Sequence, residues 1–285
     1  MMPRFFTRFS AALFAQAALI VFAALMTGST AGMAASCGSG AGGFESWLGQ
    51  FKREAVSQGV SASVLQSALS AVTYDPAVIR LDRGQHSFRL SFEAFYARRV
   101  NNALIRRGRN LIATHRAMFD RIEKRYGVPA SIIVAIWGLE TSYGALGGNM
   151  SIIRSLATLA YDCRRSAFFH NELISALKIV QRGDMTSAQL RGGWAGEIGQ
   201  TQFLASAYYK FAVDFDGDGR RDLIRSIPDV LASTANFLRS YGWQPGQSWQ
   251  PGTANYNVIV QWNKAQVYVR TIAVMADKLA RASGA

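Results

Sequence analysis

Several common ways of building a protein are closed to this chain by what it lacks. Two cysteines in 285 residues leave room for one disulfide, so no cystine framework holds the fold together. Strand signals are few, Tyr256–Trp262 being the best short candidate, which leaves a sheet-built fold without material. The sequence shows no internal repeat, and no low-complexity tract beyond its first segment, which excludes a stacked-repeat architecture. Acid is scarce too: 18 Asp and Glu stand against 31 Lys and Arg, a formal charge of +13.

What is present is 49% hydrophobic residues and 17% charged ones, the balance of a chain that buries one large core. The first segment stands apart. Arg4 and Arg8 precede an apolar run from Ala11 to Met26, and small residues follow through Ser36, the layout of a secretory signal with cleavage near Gly32-Met33-Ala34. A retained membrane anchor is the alternative, at the short limit for spanning. On the first reading residues 1–35 are signal and 36–285 the mature chain; losing Arg4 and Arg8, with no acid in that stretch, takes the charge from +13 to +11. In an exported protein such a charge points to an anionic cell wall or membrane surface before nucleic acid. Cys37 follows directly. Ala34-Ala35-Ser36-Cys37 resembles a bacterial lipoprotein box, but Ala34 stands where a large aliphatic residue is usual; a Cys37–Cys163 disulfide is the preferred reading of an even count in an exported chain.

The rest reads as helices: Phe44–Gln58, Ser61–Ala71, a longer stretch holding Phe92, Phe95, Tyr96, Val100, Leu104 and Ile105, then one opened by Gly127-Val128-Pro129, then Ile152–Tyr161, Ala167–Gln181, Gln202–Phe211 and Pro228–Tyr241. Gly242–Gly252 reads as a loop, and a helix around Ala265–Ala280 closes the chain.

The helix opened by Pro129 ends on Val134-Ala135-Ile136-Trp137-Gly138-Leu139-Glu140 and runs into Thr141-Ser142-Tyr143-Gly144. Ile136 and Trp137 share the face of Glu140, so the acid projects from an apolar wall, where desolvation favours its protonated form, the state a general acid needs. A Glu that turns to solvent or pairs with an arginine fits the segment as well. The second block is Gly196-Glu197-Ile198-Gly199-Gln200-Thr201-Gln202-Phe203, whose glycines permit close backbone approach. Asp214, Asp216, Asp218 and Asp222, with Gly219 at the sixth position, the carbonyl of Arg220 at the seventh and Arg225 in place of the usual twelfth-position Glu, outline a calcium-type loop or an Asx-rich turn.

Together the Glu140-Thr141-Ser142-Tyr143-Gly144 and Gly196–Phe203 blocks resemble the E-[ST]-x-[YW]-G and G-x-[MI]-G-x-x-Q-F pattern of lytic murein transglycosylases, specifically the membrane-bound lytic transglycosylase B family, over about residues 92–280. The resemblance implies a mainly α, lysozyme-like fold with a minor β element: a single catalytic domain with its core at 126–245 and a closing segment at 246–285. It implies cleavage of the MurNAc-β-1,4-GlcNAc bond of peptidoglycan glycan strands in the periplasm, with the muramic C6 hydroxyl attacking C1 and Glu140 serving as acid, then base. No catalytic cofactor is needed. Substrate contacts carry over to Tyr143, Arg164, Arg165, Gln202, Phe203, Trp262, Asn263 and Tyr268, with Tyr96 and Phe237 as lesser candidates whose other reading is core packing. Gly193 stands where the family commonly has Ser, which leaves one substrate hydrogen bond open, and Ala205 where it usually has Pro. Calcium binding in the family's comparable loop implies Asp214, Asp216, Asp218, Arg220 and Asp229 as ligands of a structural ion. Asp162 and Glu197 lack the apolar setting of Glu140, which agrees with one catalytic acid. A monomer is expected, with other cell-wall enzymes as further partners. The rivals are a lysozyme-type hydrolase and a non-catalytic wall-binding protein.

Overall fold

The computed structural model describes residues 36–84 and 90–281; the signal reading of residues 1–35 lies outside them. In chain order the described elements are α1 Phe44–Ser57, α2 Ala62–Leu69, α3 Pro76–Arg83, α4 Phe92–Arg99, α5 Asn102–Thr114, α6 Arg116–Tyr126, α7 Ala130–Thr141, β1 Met150–Ser151, α8 Ile152–Tyr161, α9 Ser166–Arg182, β2 Arg191–Gly192, α10 Ala205–Phe211, α11 Ile227–Ser240, α12 Ala254–Trp262 and α13 Gln266–Ala280, with a single 3-10 turn at Ala41–Gly43. The expectation of a mainly helical fold with a minor β element holds.

Helix α7 is apolar all round and buried from Ser131 to Leu139, as a helix at the centre of a bundle must be. Helices α13, α5, α11 and α6 pack about it, while α8 and α9 pair and α10 lies on α9. The turn into α7 is set by Gly127, whose φ of 72° ends α6, and whose carbonyl accepts from Trp243 Nε1 at 3.0 Å. Side-chain caps start many of the others: Ser61, Asp75, Ser91, Asn101, Ser151, Ser226 and Thr253 each accept from a first-turn N–H, worth about 1 kcal/mol apiece.

Tyr256–Trp262 is helix, not strand. Its buried residues Asn255, Tyr256, Val258 and Ile259 fall at one-, three- and four-residue steps, a helical face, and the Thr253 cap commits the segment; a β-branched run this short carries both readings. The long stretch from Phe92 is two helices, because Asn101 caps a new one after Val100 turns extended. The helix expected from Gln202 starts at Ala205, since Gln202 adopts φ 55°. Among the described residues the strands form one antiparallel pair, Met150 opposite Gly192 and Ser151 opposite Arg191, with isolated bridges beside it. Cys37 and Cys163 form a disulfide with Cα atoms 4.9 Å apart, and Gly38 bridges to Asp162 beside it.

Candidate active site

The last turn of α7 delivers Glu140, and the chain then reverses sharply. Ser142 and Tyr143 take φ of 51° and 61°, and with Gln202 they are the non-glycine residues of positive φ among those described. Each costs roughly 1–2 kcal/mol, and all three flank the same place. Backbone strain gathered at one spot marks a functional site rather than a packing accident.

The glycine block is folded into a tight double loop against β2: Gly193 N donates to Glu197 O at 2.8 Å, and Ile198 and Phe203 exchange both backbone hydrogen bonds at 2.7 and 2.9 Å. Gly199 sits at φ 75° with the Leu223 carbonyl directly against it, where any Cβ would collide. Gln200 couples this loop to α7. Its Oε1 accepts from Trp137 Nε1 at 3.0 Å, its Nε2 donates to Ile224 O at 3.0 Å, and its backbone carbonyl accepts from the Thr141 hydroxyl. Thr141 Oγ1 in turn accepts from Gly144 N at 2.9 Å, so both motifs are locked by one set of bonds.

Between them opens a cavity of about 310 Å³ lined by Glu140, Glu197, Gln202, Phe203, Leu204, Ala207, Phe237, Gln261, Trp262 and Asn263. Phe203, Phe237 and Trp262 meet edge to face with centroids 5.0–6.0 Å apart, an apolar wall of rings. Trp262 Nε1 donates to Glu140 Oε1 at 2.9 Å. Burial pushes the Glu140 carboxyl above the ordinary glutamate range, against the Trp262 hydrogen bond, the neighbouring Tyr268 hydroxyl and the charge of Arg99; the like charge of Glu197 adds to the upward push. Tyr268, 6% exposed, places its hydroxyl beside Glu140 and Arg99, and burial drives its own proton affinity well up, so it remains a neutral donor.

Of the residues expected from sequence, Glu140, Gln202, Phe203, Phe237, Trp262 and Asn263 thus line one cavity, with Tyr268 behind Glu140. Gln202 is held by Nε2 bonds to the carbonyls of Gly199 at 2.7 Å and Gly147 at 3.3 Å. Tyr143 lies in the core instead: 5% exposed, edge-on to Trp137, it gives its hydroxyl to Leu104 O at 2.8 Å. Tyr96 sits on α4 beneath Lys278, away from the lining. Arg164 and Arg165 are exposed and converge on buried Asp82, while Arg83 binds Asp162 at 2.8 Å. Burial works against the Asp82 anion, yet the two arginines hold its carboxyl below the usual range. The charge of Arg165 also reaches Glu197.

One expectation is corrected. Glu197 does not lack an apolar setting: it lines the same cavity as Glu140, and burial raises its proton affinity too. Nothing local in the sequence marks it, because its surroundings come from the double loop. Arg99, whose guanidinium donates to Leu139 O, was missed for the same reason.

In the calcium-type loop, Asp214, Asp216 and Asp229 each bring a carboxylate oxygen within 4.8 Å of the others, while Asp218 turns its carboxylate to Arg220 N on the exposed rim. Asp229 is buried, and its burial, with the Asp216 charge adding, raises its proton affinity.

Comparison with known proteins places this geometry. The transglycosylase SLT domain family matches residues 43–254. The membrane-bound lytic murein transglycosylase B of Escherichia coli is 39% identical over 128 residues, 45% of this chain and 35% of that protein, so the match spans about a third of the relative's length. The crystal structure of SltB3 from Pseudomonas aeruginosa in complex with NAG-anhNAM-pentapeptide superposes with a TM-score of 0.78 at 32% identity, covering 83% of this chain and 79% of that one. The Escherichia coli lytic transglycosylase Slt35 in complex with calcium gives 0.73 at 22% identity over 89% of this chain and 98% of that one, a likeness of fold.

Proposed function

The chain belongs to the transglycosylase SLT domain family, and from that premise we propose that it is a peptidoglycan lytic transglycosylase that cleaves the MurNAc-β-1,4-GlcNAc bond and leaves 1,6-anhydroMurNAc ends. The observation that carries this is Glu140, one carboxyl whose proton affinity burial raises and which lines a cavity shared with the rings of Phe203, Phe237 and Trp262. It gives its proton to the bridging oxygen as the bond from C1 breaks, so GlcNAc departs with a free hydroxyl. The resulting carboxylate is steadied by the Trp262 N–H and the Arg99 charge. It then takes the proton of the muramic C6 hydroxyl, whose oxygen bonds to C1. No water is consumed and Glu140 ends protonated, as it began. The saccharide in the SltB3 complex supports a glycan of this class as ligand.

Glu197 in the same cavity gives a two-carboxylate hydrolase some footing; anhydro against reducing product ends separates the two readings. Glu140→Gln keeps the shape and loses the proton, so turnover falls by about 10²–10⁴ while sedimentation with purified sacculi persists. Binding and turnover lost together would remove Glu140 from its role.

Residues 126–245 form the catalytic core on this reading, and 246–285 close it by bringing Trp262 to Glu140. We place the protein in the periplasm. The Cys37 sulfur is engaged with Cys163 and so is not free to carry a lipid, and among the described residues no helix is long and apolar enough to cross a membrane. The all-oxygen set of Asp214, Asp216 and Asp229 suits a hard cation such as calcium, which would tie the loop whose Leu223 carbonyl accepts from Gln200 N at 2.9 Å. Asp218, whose carboxylate accepts from Arg220 N on the exposed rim, would have to turn inward to join them, with the Arg220 carbonyl as a further oxygen.

A further inference from the structure

The two oxygens of Glu197 have different fates. Oε2 accepts from Ala195 N at 3.0 Å, which fixes the carboxyl to the loop, whereas Oε1 accepts from no other residue and belongs to a side chain lining the cavity. The carboxyl lies in the volume that a side chain at position 193 would take: a Cβ on Gly193 would collide with Oε2 and come within 3.3 Å of Gln202 Oε1. Gly193 and Glu197 are therefore a matched pair, the missing side chain of one making room for the acid of the other. Phe203, Phe237 and Trp262 supply ring faces and edges to the same space, while Gln202 has its amide nitrogen committed to two carbonyls. An acceptor held to the loop at one oxygen and open to other residues at the other, in a cavity with three aromatic rings in its wall, is placed to receive a hydrogen-bond donor.

We propose that Glu197 is a specificity-determining residue of the glycan cleft, its free Oε1 accepting a hydrogen bond from an O–H or N–H of the sugar bound beside Glu140. The inference rests on the transglycosylase reading for the identity of the ligand. Glu197 is not the nucleophile or the proton donor. It orients a ring whose scissile bond Glu140 serves, and discriminates against sugars that lack the donor, because a buried acceptor left unpaired is costly.

The test pairs a binding readout with a product readout. Affinity for a NAG-NAM oligosaccharide is measured by calorimetry in the uncleaving Glu140→Gln background, with and without Glu197→Ala, and product ends are read by mass spectrometry in the active background. Loss of this hydrogen bond weakens binding by roughly threefold to a hundredfold. Glu197→Gln should weaken it similarly, since the single amide oxygen is claimed by Ala195 N–H and the NH₂ turns to the cavity. Glu197→Ala combined with Gly193→Ser places a hydroxyl in the vacated volume and should recover part of the affinity, a rescue that a merely structural role would not show. Glu197 variants that bind as their parent does overturn the proposal while leaving the transglycosylase reading intact. Weakened binding with no anhydro product from the otherwise wild-type enzyme supports the proposal and overturns that reading. An oligosaccharide that does not bind the parent at all overturns both.

Discussion

Glu140 was legible because its environment is local: the wall behind it is its own helix, and the residues three and four positions back are Trp137 and Ile136. Its partners were not legible in the same way. Trp262 comes from 122 positions downstream, and Glu197 is placed by a double loop whose register no helical period announces. This yields a prediction with a definite sign. The Trp262 N–H favours the Glu140 anion, so Trp262→Phe keeps a ring in the wall and raises the carboxyl's proton affinity further. Activity needs the protonated acid and falls as pH rises through its pKa. The alkaline limb of the pH–rate profile therefore moves upward, by about one to two pH units if the lost bond is worth roughly 1.5–3 kcal/mol. Stability has its own sign. An acid whose pKa is raised by folding is bound to its proton in the native state while the unfolded chain has released it, so stability declines as pH rises from the ordinary glutamate value toward the raised one.

At the scale of elements, helices with sustained apolar periods were read well: Phe44–Ser57, Ile152–Tyr161 and Ile227–Ser240 lie within a residue or so of expectation, the last two also started by serine caps. Errors came where tertiary contact decides. Helix α3 went unseen because its eight residues hold only two buried positions, and α12 was read as strand because β-branched residues suit either period over so short a span. The Gly196–Phe203 loop depends on Gly199, where a positive φ and the Leu223 carbonyl both reject a side chain. Gly199→Ala should cost at least about 2 kcal/mol, the left-handed penalty plus the clash, read as a lower urea midpoint and accompanied by loss of activity. Asp82 is the hub for Arg164 and Arg165, and Asp82→Asn removes charge-assisted bonds worth about 1.5–3 kcal/mol in all. The Asp82 carboxyl is held below its ordinary value, so its contribution is present above the unfolded pKa and disappears as pH falls through the folded one; the stability gap between wild type and variant should close in acid.

For the whole molecule, the sequence carried the class and family, because each of the two motifs is an unbroken run, and the even cysteine count carried the joining of 37 to 163, while the joining of 254–280 to the cleft is a property of the folded chain. Replacing both cysteines with Ser should cost about 2–5 kcal/mol, visible as a lower Tm, yet leave the cavity's chemistry in place because none of its lining comes from the segment around Cys37. Calcium should raise Tm in the wild type and not in Asp229→Asn, since that substitution removes the buried member of the oxygen set.

The central claim is that one carboxyl, that of Glu140, directs an internal hydroxyl, not water, to the anomeric carbon. Mass spectrometry of the soluble products released from purified sacculi tests it most directly. The account predicts 1,6-anhydromuropeptides from the wild type and none from Glu140→Gln; reducing-end products from the wild type, or anhydro products from the variant, would contradict it.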